Sequence, residues 1–418
     1  MFQKIKTISK IQWYQYLLSL MIFTFCFAPN SITIFVVSSA VFIAFHSLKG
    51  HMQFKLSKIA IGFILFFFAY IIGTFFSNHV NDALHSLERK LVFLVFPILF
   101  SFHFNQKLNL KPIAVGLIAG VVLCSFFGLI HSFNNYQLHG DFNNSFGATT
   151  FSYIHHPTYF SAFLLVSFLF ALEGYKLKWR YFNSFSITVF LLFTLVMQFF
   201  CFSFAGMLYL FLILIFLGYR LMYLHSSKVI FYLSLAVFPL VPVIVYNSNI
   251  HIQIVVDEAL TDIQAFVSNP KSVLSKHQEI YTGNQVRLIL WTVSKEEFQI
   301  HPLGVGTANL DEAIGARLRL YGLDAIAEKN YNPHNQYLQV AVEIGILGLM
   351  LFLGLLAMIF SYAVKWKNTL LFLICGNLVF NCIFESMLQR QSGIVFYTFL
   401  ILLLTSGILT SKTQSKPE

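Results

Sequence analysis

Charge is what this chain has least of. Asp, Glu, Lys and Arg together make up 11% of its 418 residues, where a soluble globular chain carries about a quarter. Hydrophobic residues reach 57% and the mean hydropathy is +0.72. The length alone would allow two or three soluble domains, and this composition excludes them. Cysteine is also sparse. Cys26, Cys124, Cys201, Cys375 and Cys382 sit in apolar surroundings, with no C-x-x-C pair and no histidine at metal-ligand spacing. They read as free core thiols, and neither a disulfide framework nor a zinc site is implied. Repeats at solenoid period, low-complexity tracts and a transporter-like internal duplication are absent from the sequence.

The formal net charge is +10, but a nucleic-acid binder gathers such charge on one soluble face. Here the basic residues punctuate apolar runs instead, so the expected environment is a lipid bilayer and no nucleic acid is expected as a partner. A span of about 30 Å of hydrocarbon needs roughly 20 apolar residues. Twelve stretches qualify: 11–29, 31–48, 58–77, 87–104, 112–133, 151–173, 183–203, 205–223, 228–246, 336–363, 368–384 and 392–410. The chain is therefore expected to be an all-α polytopic membrane protein. With the N-terminus inside, the loops alternate so that 17 of the 27 Lys and Arg residues but 2 of the 17 acids are cytoplasmic, the bias that fixes topology. The basic residues before the first apolar run precede no small-residue cleavage site, so that run is expected to be a retained helix.

Three connections fall outside: 78–90, 134–150 and 247–335. A structureless loop as long as the last is uncommon, so 247–335 is expected to fold as a large periplasmic loop subdomain between helices nine and ten. Residues 1–246 then carry the first nine helices, and 336–418 carry the last three with a cytoplasmic tail. Within the loop, 255–267 and 286–300 place apolar residues at mixed three and four spacings, as amphipathic helices at a membrane surface do. The 50 phenylalanines read as filler for core and lipid face.

At the end of the loop the chain reads Asn332-Pro333-His334-Asn335-Gln336, ahead of an apolar run containing Gly345-Ile346-Leu347-Gly348. Asparagine followed by proline reads as a helix start, which puts His334 and Asn335 in the first turn. Free N–H groups and the positive dipole end there favour an anion such as phosphate and disfavour imidazolium, leaving His334 as a neutral general base. The bland alternative is a histidine at headgroup level. Ala341, Gly345 and Gly348 share a face on which a neighbouring helix could approach closely. Glu343 is a carboxylate inside the membrane, for which a structural partner is expected.

His334, Asn335, nine further residues and Gly345-x-x-Gly348 together resemble the signature of the O-antigen ligase and O-antigen polymerase family of bacterial membrane glycosyltransferases. Arg287-x-x-x-Trp291, followed by His301-Pro302-Leu303-Gly304-Val305-Gly306-x-x-Asn309, looks like the stretch that opens the family's loop domain. Twelve helices with both ends inside agree with it. The resemblance implies an inner-membrane enzyme that moves a glycan from undecaprenyl pyrophosphate to an acceptor hydroxyl on the periplasmic side, with no metal or other cofactor. His334 would be the base and Arg287 would hold the pyrophosphate, a task suited to a permanently charged, bidentate guanidinium. Asn335 is expected to contact substrate beside them.

One departure stands out. Relatives carry a Ser-Arg-Gly-Gly-like stretch where this chain reads Ser203-Phe204-Ala205-Gly206, so the arginine is missing. Arg89 or Lys90, and Arg390 beside Glu385, are candidates to supply that charge, and each also reads as an interfacial anchor. His155-His156-Pro157-Thr158-Tyr159 resembles the family's His-Pro element, with His156 and Tyr159 expected along the path of the donor. Arg317 and Arg319 are expected to be solvated. The expected acceptor is lipid A-core, making an O-antigen ligase; polymerases and protein O-oligosaccharyltransferases share the signature. A transporter for the same lipid-linked glycan is the competing class, disfavoured because the charges lie at helix ends and in one loop, with Glu343 the exception.

The charge bias predicts that reporter fusions within 176–180 or 365–367 score as cytoplasmic and fusions within 271–329 as extracytoplasmic. Fusions scoring on the opposite sides would overturn the orientation.

Overall fold

The computed structural model describes residues 9–104, 106, 108–225, 247, 250–275 and 281–407, and they are overwhelmingly helical. The first half contains α1 (Lys10–Phe25), α2 (Ile32–Leu48), α3 (Lys58–Thr74), α4 (Val80–Lys90), α5 (Val92–Leu99), α6 (Leu110–His139), the short α7 (Phe142–Ser145) and α8 (Ala148–Phe151), α9 (Pro157–Lys176), α10 (Ser184–Cys201) and α11 (Phe204–His225). After these come α12 (Ile250–Ser268), α13 (Gly283–Ile300), α14 (Leu310–Leu320), α15 (Asp324–Ala327), α16 (Gln336–Lys365), α17 (Thr369–Phe384) and α18 (Gln391–Thr405). Capping boxes start several of them: Ser9 with Gln12 for α1, Asn183 with Ser186 for α10, and Thr282 with Gln285 for α13. In each, a side chain takes up a backbone N–H that the first turn leaves without a partner.

Among the described residues, five helices are long and apolar enough to cross a membrane: Pro29–Leu48, Leu110–His139, Pro157–Lys176, Ser184–Cys201 and Gln336–Lys365. Shorter apolar helices accompany them at Lys58–Thr74, Phe204–Tyr219, Thr369–Phe384 and Gln391–Thr405. The chain is an all-α, multi-pass membrane protein. The expected span at 228–246 lies outside the described residues. The expected span at 87–104 is not one helix. It is divided at Leu91 between α4 and α5, Pro97 lies within α5, and its end, Phe102–Phe104, pairs antiparallel with Met52–Phe54 as a two-stranded sheet. Proline removes a backbone donor and crowds the preceding turn, and α5 ends two residues after it, at Leu99.

Burial separates helices of similar hydropathy. In α18 every residue from Gly393 to Thr405 is buried, whereas α2 buries Ile32, Ser39 and Ile43 only and turns the rest of its apolar surface outward, as a lipid-facing helix does. Phenylalanine serves both settings: Phe163 stacks on Phe396 at 4.1 Å, while Phe45 is exposed. All five cysteines are buried and free.

A kink in α16 ties its two halves to the rest of the chain. Ile344 and Gly345 leave helical geometry, with Gly345 at φ +68°. In an unbroken helix the Ile346 N–H would donate to the Val342 carbonyl. Instead it donates to the Pro302 carbonyl at 2.9 Å, while the Val342 carbonyl accepts from Val305 at 2.8 Å and that of Glu343 from Gly306 at 3.0 Å. The segment 302–306 thus takes up the backbone groups that the kink releases. Gly304 and Gly306, at φ +91° and +102°, let it turn against the helix, and a Cβ on Gly345 would meet the backbone of Leu303. The role expected for Gly345, close approach of a neighbouring helix, is therefore corrected: it admits a loop. Beyond the kink, 346–365 is 20 residues long, about 30 Å of helix, which by itself matches the hydrocarbon thickness.

The same loop continues to α3. The Thr307 N–H and hydroxyl donate to the carbonyls of Gly73 at 3.0 Å and Tyr70 at 2.9 Å. The Asn309 side chain accepts from Ser77 and Asn78 and donates to Phe76 and Val305. Between α12 and α16, Val273, Leu290, Val293, Leu310, Ile314, Leu318 and Ile326 form a second hydrophobic core. The apolar side of α13 is buried in that core, so its amphipathic pattern reports packing against protein, where a membrane surface was expected. Arg317, expected to be solvated, pairs with Glu297 at 2.8 Å, while Arg319 is exposed.

Gly345→Ala should destabilise the protein by at least about 2 kcal/mol, because it adds strain at positive φ and a clash with Leu303. Thermal unfolding in detergent measures this, and an unchanged melting temperature would contradict the account of the kink.

Candidate functional site

Asn335, and not Pro333, begins α16. Its side-chain oxygen accepts from the N–H groups of Tyr337 at 3.0 Å and Leu338 at 3.1 Å, and its amide donates to the Ile383 carbonyl at 3.1 Å. Both ends of the side chain are thus committed, and Asn335 is a helix cap where a substrate contact was expected. It occupies two of the first-turn N–H groups at which an anion was expected. His334 lies one residue before the cap, in left-handed backbone at φ +48°, with its N–H donated to Asn332 Oδ1 at 2.9 Å. That conformation costs a non-glycine residue about 1–2 kcal/mol.

Across from His334 runs the turn 385–390, between α17 and α18. His334 Nδ1 lies 3.1 Å from Glu385 Oε2. An ionised carboxylate can only accept, so Nδ1 carries the hydrogen, and whenever the imidazole is neutral Nε2 keeps its lone pair. His156 Nδ1, just before α9, lies 3.9 Å from the same carboxylate oxygen. Many contacts hold the turn. Ser386 N–H donates to Glu385 Oε1 at 3.1 Å, and Tyr159 OH donates to the Ser386 carbonyl at 2.8 Å. Leu388 N–H donates to Gln336 Oε1 at 2.5 Å, and Lys90 Nζ donates to Gln389 Oε1 at 3.0 Å. Burial pushes the Glu385 carboxyl up, but the His334 hydrogen bond and the charges of His334 and His156 outweigh it and hold it below the usual carboxylate range. Burial drives the His156 imidazole below its ordinary value; Glu385 opposes this, and Arg390, His334 and Arg287 add to it.

Behind His334 opens a cavity of about 340 Å³ whose lining includes Tyr281, Arg287, Lys329, Tyr331 and His334. Arg287 stands on the first turns of α13, and its Nε is buried without a hydrogen-bond partner. A buried guanidinium nitrogen in that state is suited to an incoming anion. Lys329 adds a second cation on the cavity wall, its ammonium 5.9 Å from the centre of the Tyr331 ring. The arrangement offers a ring nitrogen able to take a proton and fixed positive charge to neutralise a phosphate-like group.

The other expected residues are placed as follows. Arg390 precedes α18, exposed, and lies near enough to His156 to act on its titration. Tyr159 is fully buried behind the turn it supports, so it is not on a substrate path. Arg89 is exposed on α4, and no described contact brings it to the cavity. Its neighbour Lys90 is fully buried, bonded to Ser86 and Gln389 and set over the Tyr70 ring at 4.5 Å. His155 is structural, between Ser392 Oγ at 2.8 Å and the Cys26 carbonyl at 2.9 Å. Phe204, in place of the relatives' arginine, lies 6.3 Å from Phe384, ring to ring, beside the residue that precedes Glu385. Sequence reasoning missed Tyr281, Lys329 and Tyr331, and it noted Glu385 only as a neighbour of Arg390. The available signal was isolation, since Glu385 is the one acid between Glu343 and Glu418.

Comparison with curated proteins finds no match. Residues 156–353 match the family model described as O-antigen ligase, a stretch containing His156, Arg287, Lys329 and His334. Over that stretch the chain is similar to the O-antigen ligase family.

Proposed function

We propose that the chain is an O-antigen ligase of the bacterial inner membrane, transferring a glycan from undecaprenyl pyrophosphate to a sugar hydroxyl of lipid A-core. The observation that carries this reading is that His334 and Arg287, 47 positions apart in sequence, line one cavity. In the proposed reaction His334 Nε2 takes the proton of the acceptor hydroxyl as its oxygen attacks the anomeric carbon. The bond from that carbon to the pyrophosphate oxygen breaks, and the leaving group departs with its electron pair. Arg287 and Lys329 stabilise the charge that develops on it. Each atom of the step is accounted for by donor, acceptor and histidine.

The reading also places twelve spans in the membrane, with 1–246 and 336–418 as its two helical parts and 247–335 as a periplasmic subdomain. The cavity then faces the periplasm. The segment 346–365 has the length to cross the hydrocarbon core, which leaves His334 and the first turns of α16 above it.

The test supplies purified protein with a lipid pyrophosphate-linked glycan and lipid A-core. His334→Ala should lower kcat by about 10²–10⁴-fold, the usual contribution of a general base. Undiminished transfer would remove His334 from the chemistry. Arg287→Ala should lower kcat/KM on the order of 10–100-fold through the lost charged contacts, and an unchanged value would remove it from the donor site. Glycan on core identifies a ligase. Lengthened lipid-linked chains would identify a polymerase, and substrate movement across the membrane without transfer would identify a transporter.

A further inference from the structure

Part of the cavity wall has no role in the proposed chemistry, and it is aromatic. Tyr281 and Tyr331 both line the cavity, and both also pack against the second hydrophobic core. We propose that Tyr331, with Tyr281, forms a platform for one sugar ring, the pyranose of the donor that carries the pyrophosphate. The proposal rests on the reading of the site as that of a glycosyltransferase and names the sugar contact within it.

Three observations carry it. The centre of the Tyr331 ring lies 6.2 Å from that of His334 and 5.9 Å from the Lys329 ammonium, so base and cation are about equally near one aromatic ring. In the proposed transfer the acceptor hydroxyl and the departing pyrophosphate meet at a single anomeric carbon. The sugar that contains this carbon must lie beside both groups, and Tyr331 borders that space. Next, an aromatic face suits a pyranose. The face of a tyrosine ring carries partial negative charge, and one face of a pyranose presents C–H bonds whose hydrogens are partly positive. Tyrosine offers that surface with only two side-chain torsions to fix, so little entropy is lost on contact. Last, the wall is built before any sugar arrives. Lys329, Tyr331 and His334 come from one segment, 329–334, in which Asn330 takes left-handed backbone at φ +48°, a conformation asparagine tolerates. Asn332 Oδ1 accepts the His334 N–H at 2.9 Å in the same segment. Packing of both tyrosines on the second core holds the rings in place, which lowers the cost of binding. At about 340 Å³ the cavity is at the small end of ligand sites, a size that suits one ring better than a chain of sugars. Among the described residues no acid lines it, so nothing in the wall repels the phosphate that the sugar carries.

Binding to the full chain in detergent tests the proposal with two probes: undecaprenyl pyrophosphate carrying the glycan of the transfer assay, and undecaprenyl pyrophosphate with no sugar. Tyr331→Leu keeps an apolar side chain and removes the aromatic face. Its Kd for the glycan-bearing lipid should rise about tenfold, while its Kd for the sugar-free lipid and its KM for lipid A-core stay within about threefold of the parent protein. Tyr331→Phe keeps the face, and both lipids should bind it within about threefold of the parent. Tyr281→Leu should also weaken the glycan-bearing lipid selectively, and it carries the test if Tyr331→Leu lowers the melting temperature. Unchanged binding of the glycan-bearing lipid, equal weakening of both lipids, or a change confined to the acceptor KM would overturn the proposal. So would a Tyr331→Phe variant as impaired as Tyr331→Leu, because the contact would then belong to the hydroxyl. If the parent protein transfers no glycan, the reading of function fails and the sugar platform with it. If it transfers glycan while neither leucine variant shows a selective loss, that reading stands and only the platform fails.

Discussion

The structure depends on an exchange of backbone hydrogen bonds. A transmembrane helix is stable in lipid because it satisfies its own N–H and C=O groups, and α16 breaks that rule at Ile344 and Gly345. The break is tolerated because 302–306 supplies replacements at Val342, Glu343 and Ile346, and the same loop proceeds to the end of α3 through Thr307 and Asn309. The second core and the helical bundle are therefore joined by directional bonds in addition to apolar contact. The stretch 302–309, singled out in the sequence by its resemblance, is the seam between them. His334 lies just before the start of that helix, one residue ahead of its Asn335 cap.

Around His334 charge is arranged economically. One carboxylate, Glu385, faces two histidines at 3.1 and 3.9 Å, and the fixed cations Arg287 and Lys329 lie on the cavity side. Buried charges are tolerable when they are paired and hydrogen-bonded, and the turn 385–390 meets that condition with ligands from three other helices. At the start of α16, by contrast, the Asn335 side chain already accepts from two N–H groups, so the cationic groups at the cavity are side chains.

Much of the helical architecture was legible in the sequence because apolar runs of membrane length have few alternatives. The expected stretches at 112–133, 183–203 and 368–384 correspond to α6, α10 and α17. Where reading failed, composition carried no information on the point. At 87–104 the apolar stretch that follows Lys90 hid the break at Leu91 and a strand. At 336–363 the glycines of a kink could not be told from those of a helix contact, because both call for a missing side chain. The Pro333 start was misplaced because the asparagine after the histidine caps better than the one before the proline. His334 and Arg287 were legible by resemblance. Glu385 was not, since only folding brings α17 beside the start of α16, and Tyr159 and Asn335 carried the right chemistry for a site while being used by the scaffold.

Phe204 and its contact with Phe384 bear on the surface beside the turn 385–390. An exposed aromatic side chain beside the turn that carries Glu385 makes that surface apolar where an arginine would have made it cationic. A hydrocarbon chain rests against such a surface at little cost, whereas an anionic group must shed water to do so. The exposed ring of Phe204 thus leaves one flank of that turn better matched to lipid than to a charged solute.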